Sequence, residues 1–152
     1  SRLDAAGGHI SVISSAFRSA AFLLGLGGIT ASAQTIINLG TLPSGTVSHG
    51  QAVDYGGLHV VGWGDIPTSG AMAFRWALGG GIQNLGTIGP GRYSYGFAIS
   101  DDGQVVGGRT ESHNFRDRGF RWTQPGGMID IGTLPNGFSS IAYSMSADGN
   151  KL

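Results

Sequence analysis

Leu39-Gly40-Thr41-Leu42 returns as Leu85-Gly86-Thr87-Ile88 and again as Ile131-Gly132-Thr133-Leu134, a step of 46 residues both times. Phe74-Arg75-Trp76 and Asp102-Gly103 keep that step to Phe120-Arg121-Trp122 and Asp148-Gly149, and Ala52 reaches Ala98 by it. Val60-Val61-Gly62 matches Val105-Val106-Gly107 at 45, which predicts one residue gained in a hairpin and lost again before the next tryptophan. A fixed period limits a fold more than local propensity does. Each copy is one supersecondary unit, and a unit shields its apolar face only by stacking on its neighbour.

Within each unit short apolar runs alternate with turn residues, and no stretch of ten or more residues has helical spacing. The second unit predicts strands over residues 96–100, 104–109, 118–123 and 128–132, with a polar loop over 110–117. Asp101-Asp102-Gly103 reads as a hairpin turn, because Asp-Gly supplies the positive φ of a tight connection. Gln124-Pro125-Gly126-Gly127 reads as a second turn. Strand alternation places Phe74 and Trp76 on one face and Arg75 on the other, so stacked sheets are expected to cover both. The 29 glycines lack the every-third-residue period of collagen, and a 40% apolar content is too high for a disordered chain.

Four short strands per unit is the sequence form of a β-propeller blade. The expected fold is all-β, with units 37–81, 82–127 and a truncated 128–152, roughly two and a half blades. Propellers close with about four to eight blades, so the expectation is a fragment of a longer protein. A β-trefoil, also built from three four-stranded units of comparable length, is the structural alternative.

The first 33 residues read as an address. Arg18 precedes an apolar run from Ala20 to Ile29 and then Ala31-Ser32-Ala33. That run is too short for the ~20 residues of a membrane-spanning helix, and its basic, apolar and small-residue regions are those of a secretory signal. Cleavage is expected after Ala33, leaving residues 34–152 as the mature β-repeat region, with no membrane span. The lead from Ser1 to Ser15 is long and has no methionine, so the natural start is expected upstream or to have been wrongly assigned.

The string FRWTQPGGMIDIGTLPNGFSSIAYSMSADGN, residues 120–150, resembles the extracellular HAF repeat family of bacterial secreted and surface proteins. The shared frame is an aromatic-Arg-Trp strand, a Gly-Gly turn, a Leu-Gly-Thr-Leu strand and an Asp-Gly hairpin, and the resemblance covers residues 37–152. The His-Ala-Phe tripeptide of that family is altered here to Met72-Ala73-Phe74 and Arg118-Gly119-Phe120, which argues against a role for its histidine in this chain. The resemblance implies export to the periplasm, the cell surface or the medium, a repeated β architecture and no established catalysis.

Charged residues make up 12% of the chain, nine acids against nine bases, and removal of the leader leaves a formal charge of −1. Soluble domains carry roughly a quarter, and without a basic block neither nucleic acid nor a polybasic membrane contact is expected. The absence of cysteine excludes disulfides, thiol nucleophiles and thiolate metal sites. His9, His49, His59 and His113 do not recur at the repeat step, and no metal or cofactor is expected from them. The Asp-Gly pairs lack the alternating ligand series of a calcium loop and read as turns. Asp65, Glu111 and Asp117 read as loop acids without evident partners, and no Gly-x-Ser-x-Gly elbow occurs. The repeated Trp76 and Trp122 read as core.

Trp63 and the segment Gly91-Arg92-Tyr93-Ser94-Tyr95 depart from the repeat, and departures from a repeated scaffold concentrate where recognition is carried. Trp63, Arg92, Tyr93, Tyr95 and the loop residue Phe115 are therefore the candidate ligand-binding surface. The expectation is a non-catalytic surface or secreted scaffold, an autotransporter passenger among the options, that binds an extracellular protein or glycan. The alternatives are a trefoil lectin for carbohydrate and part of a secreted propeller glycan hydrolase.

Overall fold

The computed structural model describes residues 35–152; the expected leader, residues 1–33, lies outside them. Eight strands follow one another with no helix among the described residues: β1 (Ser48–Val53), β2 (His59–Ile66), β3 (Gly70–Ala77), β4 (Gly81–Gly86), β5 (Ser94–Ile99), β6 (Val105–Glu111), β7 (Asp117–Thr123) and β8 (Gly127–Asp130). They form two antiparallel four-stranded sheets, each in chain order, β1-β2-β3-β4 and β5-β6-β7-β8. The strands expected over residues 96–132 are those of the second sheet, each end within two residues. The polar loop is shorter than expected, since Thr110 and Glu111 extend β6 and Asp117 begins β7. The sheets run over residues 48–86 and 94–130, so residues 82–86 complete the sheet that β1 begins.

Both first strands carry a bulge, between Gly50 and Ala52 in β1 and between Gly96 and Ala98 in β5. Opposite them, Gly62 and Gly108 sit so close to the carbonyls of His49 and Tyr95 that a Cβ would overlap those oxygens. Register corrects one expectation. Val60 lies opposite Trp76 and Val106 opposite Trp122, so the strands correspond at 46 residues, not 45, and no residue is gained or lost in the hairpin. The identical letters Val-Val-Gly align falsely: Val61 corresponds to Gly107.

The Leu-Gly-Thr-Leu stretch is not a strand: Leu85-Gly86 end β4, Leu39-Gly40 and Ile131-Gly132 lie outside strands, and each copy leads into a turn. Gly40, Gly86 and Gly132 have φ of 75°, 76° and 80°, and each donates its N–H to the side chain two residues back, Asn38, Asn84 and Asp130. Only glycine adopts that backbone without strain, and the turn sends the chain across to the next strand.

The core lies between layers. Phe74 and Trp76 pack with Val60 and Met72 under Leu39 and Leu42 of the segment before β1. Across the first sheet, Val61 and Ala73 meet Val106, Phe120 and Trp122 of the second, together with Leu85. Phe74 and Phe120 are fully buried, each contributing about 1.5–3 kcal/mol by leaving water.

Polar contacts stitch the layers where apolar packing cannot. Ser94 Oγ donates to the Gly86 carbonyl (2.6 Å) and accepts from Ala73 N (2.9 Å), at the point where the β3–β4 ladder shifts register. Arg75, buried against the expected second layer, donates from Nε to the Gly103 carbonyl at 2.6 Å. Residues 131–152 then lie on the far face of the second sheet: Ser140 Oγ accepts from Gly119 N at 2.9 Å and Arg121 Nε reaches the Gly149 carbonyl at 3.5 Å.

Candidate functional site

The bulged first strands and their partners bring a row of rings to the surface. His49 and Trp63, opposite each other in the β1–β2 ladder, stack at 4.2 Å between centroids. Trp63 meets Tyr95 edge-on at 5.4 Å, Tyr93 lies 5.8 Å from Tyr95, and Phe97 is stacked 6.3 Å beyond Tyr95. Tyr143, from residues 131–152, stacks on Phe97 at 5.4 Å and closes the row at 70% exposure. The row thus crosses from the first sheet over the second to the segment beyond it. Strand alternation directs Tyr93, Tyr95 and Phe97 to one side, with Tyr95 and Phe97 both half-buried on β5.

Arg109 occupies in the β5–β6 ladder, opposite Tyr95, the place that Trp63 holds opposite His49. Its guanidinium centre is 4.7 Å from the Tyr95 centroid and 5.8 Å from that of Tyr93, a cation–π contact with both rings. Asp117 holds the group there, accepting from Arg109 Nη1 at 2.8 Å and from the Tyr93 hydroxyl at 3.0 Å. Burial, and then the hydrogen bond to Asp117, push the Tyr93 phenol above its ordinary pKa, so the ring stays neutral.

Arg92 and Phe115 form the second part. The Arg92 guanidinium lies 5.4 Å over the exposed Phe115 ring, while Nε and Nη2 reach the buried Glu111 carboxylate at 3.3 and 3.4 Å. Glu111 also accepts from Arg92 N at 2.8 Å, and these contacts hold its carboxyl below the usual range, the side-chain contact first. Between this cluster and the β2–β3 hairpin runs an open groove of about 400 Å³, lined by residues 67–71 with Arg92, Tyr93 and Tyr95.

Of the five residues singled out by sequence, Trp63, Tyr93 and Tyr95 are in ring contact, Arg92 lines the groove beside Tyr93 and Tyr95, and Phe115 lies under the Arg92 guanidinium outside the groove lining. His49, Phe97, Arg109, Asp117 and Tyr143 were not among them. The signal for Phe97 was the alternation Tyr93-x-Tyr95-x-Phe97, hidden because the strand was expected to begin at Gly96 rather than Ser94. Arg109 carried no signal apart from lying in Trp63's register position.

The acids expected in partnerless loops are strand residues with partners. Asp65 in β2 accepts from Thr46 N and Val47 N, both at 2.7 Å, and from Thr46 Oγ1, and the Val47 amide leads in lowering its pKa. It ties down the approach to β1 as Glu111 ties down the approach to β5. Asp102 and Asp148 cap their turns on Gln104 N and Asn150 N. Asp54, nearly buried, accepts from Leu58 N and His59 N and pairs with His59 Nδ1 at 2.7 Å. Among the described residues no three His, Asp or Glu side chains come together as a metal site, and no helix is long and apolar enough to cross a membrane. No protein-family model, curated protein or solved structure matches the chain.

Proposed function

We propose that the chain is part of an exported, non-catalytic β-propeller scaffold of the HAF repeat kind, an autotransporter passenger being one form it takes, whose aromatic row binds an extracellular protein or glycan. The row of five rings and His49, running unbroken across both sheets, carries the reading: contiguous rings at the surface mark recognition sites. The blade reading is supported by two meander sheets stacked face to face, with the same serine and arginine ties at positions 46 apart. Strand pairing favours a propeller over a trefoil, because a barrel closes a sheet on itself and here every ladder stays inside its own four strands. The scaffold reading is favoured over a hydrolase by the carboxylates, of which Asp54, Asp65, Glu111 and Asp117 are each engaged by backbone amides, arginine or tyrosine.

The test is to express the whole chain in a Gram-negative host, sequence the exported product's N-terminus and probe glycan and surface-protein arrays with it. The expected product begins at Gln34, binds an array component without cleaving it, and loses that binding with Trp63→Ala or Tyr95→Ala. An uncleaved cytoplasmic product, glycan hydrolysis, or array binding indifferent to both substitutions overturns the proposal.

A further inference from the structure

We infer that the groove between the β2–β3 hairpin and β5 is a subsite for a neutral saccharide chain, an inference that rests on the binding-scaffold reading above. Its volume, about 400 Å³, falls within the ~300–1,000 Å³ of ligand clefts, and it is shallow and open to solvent. The walls suit a molecule that is apolar on one face and hydroxylated at its edge. Tyr93 and Tyr95 offer ring surface, and Thr68 and Ser69 offer hydroxyls that donate and accept. Gly70 brings the hairpin backbone close to β5, since a Cβ there would stand 3.2 Å from the Arg92 carbonyl.

Charge separates neutral from acidic ligands. Both arginines near the groove are already neutralised, Arg92 by Glu111 and Arg109 by Asp117. An acidic sugar entering would face two carboxylates as well as two guanidiniums and gain no net attraction, whereas Arg92 Nη1, which makes no contact with Glu111, still serves sugar hydroxyls. The tyrosine phenol is held by Asp117, so the ring is fixed before ligand arrives and little side-chain freedom is lost on binding. The rings continue from the groove in two directions, to Trp63 and His49 and to Phe97 and Tyr143, which extends the path for a chain longer than the groove.

The purified chain is titrated with neutral hexasaccharides of glucose, xylose and N-acetylglucosamine and with oligogalacturonate as the acidic control, following tryptophan fluorescence and amide shifts. Expected is binding of a neutral oligomer that Tyr93→Ala weakens at least about tenfold, as truncating a ring anchor does. Tyr93→Phe keeps the ring and stays within about threefold. Ser69→Trp, on the exposed hairpin, fills the groove without touching the fold and abolishes binding; circular dichroism verifies each variant. Tighter binding of oligogalacturonate overturns the inference. So does neutral-oligomer binding that survives Tyr93→Ala and Ser69→Trp but is lost with Tyr143→Ala, or a protein ligand on the row with no saccharide bound; in both cases the scaffold reading stands. No ligand of any kind on the array or in titration removes both.

Discussion

The chain contains two junctions built on the same plan, one between the sheets and one between the second sheet and residues 131–152, and they fill their space from opposite sides. In the first, Val61 of β2 presses a methyl against the backbone of Gly96, where a Cβ would overlap it. In the second, the position of Val61 is Gly107 and that of Gly96 is Ala142; a Cβ on Gly107 would lie 2.6 Å from Leu152 Cδ2, 3.1 Å from Met145 Cε and 3.6 Å from Ala142 Cβ. The bulk has moved from the sheet to the incoming segment while the gap it fills is kept. The space next to the glycine is filled by Val61 in the first junction and by Leu152, Met145 and Ala142 in the second, as close packing requires, and no single position records it.

The three Leu-Gly-Thr-Leu copies also differ in how far they are covered. Leu42 is 1% exposed against the first sheet, Ile88 is half-buried against the second sheet, and Leu134, 46 residues further on, is 83% exposed. Leu42→Ala should therefore cost about 2–5 kcal/mol, as truncation of a buried leucine does. Leu134→Ala should change stability by no more than about 0.5 kcal/mol. Urea unfolding of the two variants measures the gap. Equal losses would break the comparison, because they would mean that Leu134 is covered in solution.

A size exchange sharpens it. Gly96→Ala alone places a methyl into Val61 Cγ2 and the Gly62 carbonyl, and overpacking of this kind costs about 1–3 kcal/mol. Val61→Gly combined with Gly96→Ala reproduces the second junction's pairing at the first. The double variant should be more stable than the sum of the single losses predicts, with a coupling of about 0.5–3 kcal/mol in a full thermodynamic cycle. Additive losses would show that the two positions do not share one volume.

How much of this was legible in the sequence follows from what repeats by type and what repeats only as a filled space. The all-β class and the strands of residues 96–132 were readable because Phe120-Arg121-Trp122 and the Asp-Gly turns recur as letters and alternate with period two. The 46-residue register of β2 was misread for the reason the junctions reveal: Val61 is matched by Gly107, and identity of letters pulled Val105-Val106-Gly107 one place out of line. Three members of the site, Trp63, Tyr93 and Tyr95, were legible as departures from the repeat. Arg109 and Asp117 were not, since their role is a contact between β5, β6 and β7 that only the ladder creates. Asp65 and Glu111 lay 46 residues apart as equivalent acids, a signal present but masked by the change from Asp to Glu.

The smallest expected effect separates the turns rather than the layers. Asp148 accepts from Asn150 N at 3.0 Å and from the Ser146 hydroxyl and the Asn150 amide, which together draw its carboxyl from the ordinary 3.8 to about 2. A carboxyl with a lower pKa folded than unfolded stabilises the fold above the unfolded value and loses that contribution as pH falls through the folded one, because the unfolded chain takes up the proton first. Stability from this turn is therefore complete above about pH 4 and drains away towards pH 2, in the same direction as the contributions of Asp65, Asp102 and Glu111, whose carboxyls are also lowered. Water surrounds the Asp148 side chain, so solvent screening keeps its share small. Chemical unfolding at closely spaced pH values between 5 and 2 should show a slightly shallower decline for Asp148→Asn than for the unsubstituted chain. Parallel curves would mean that the turn at residues 146–150 is already open before the sheets unfold, and that the second junction is held by Ala142, Met145 and Leu152 without it.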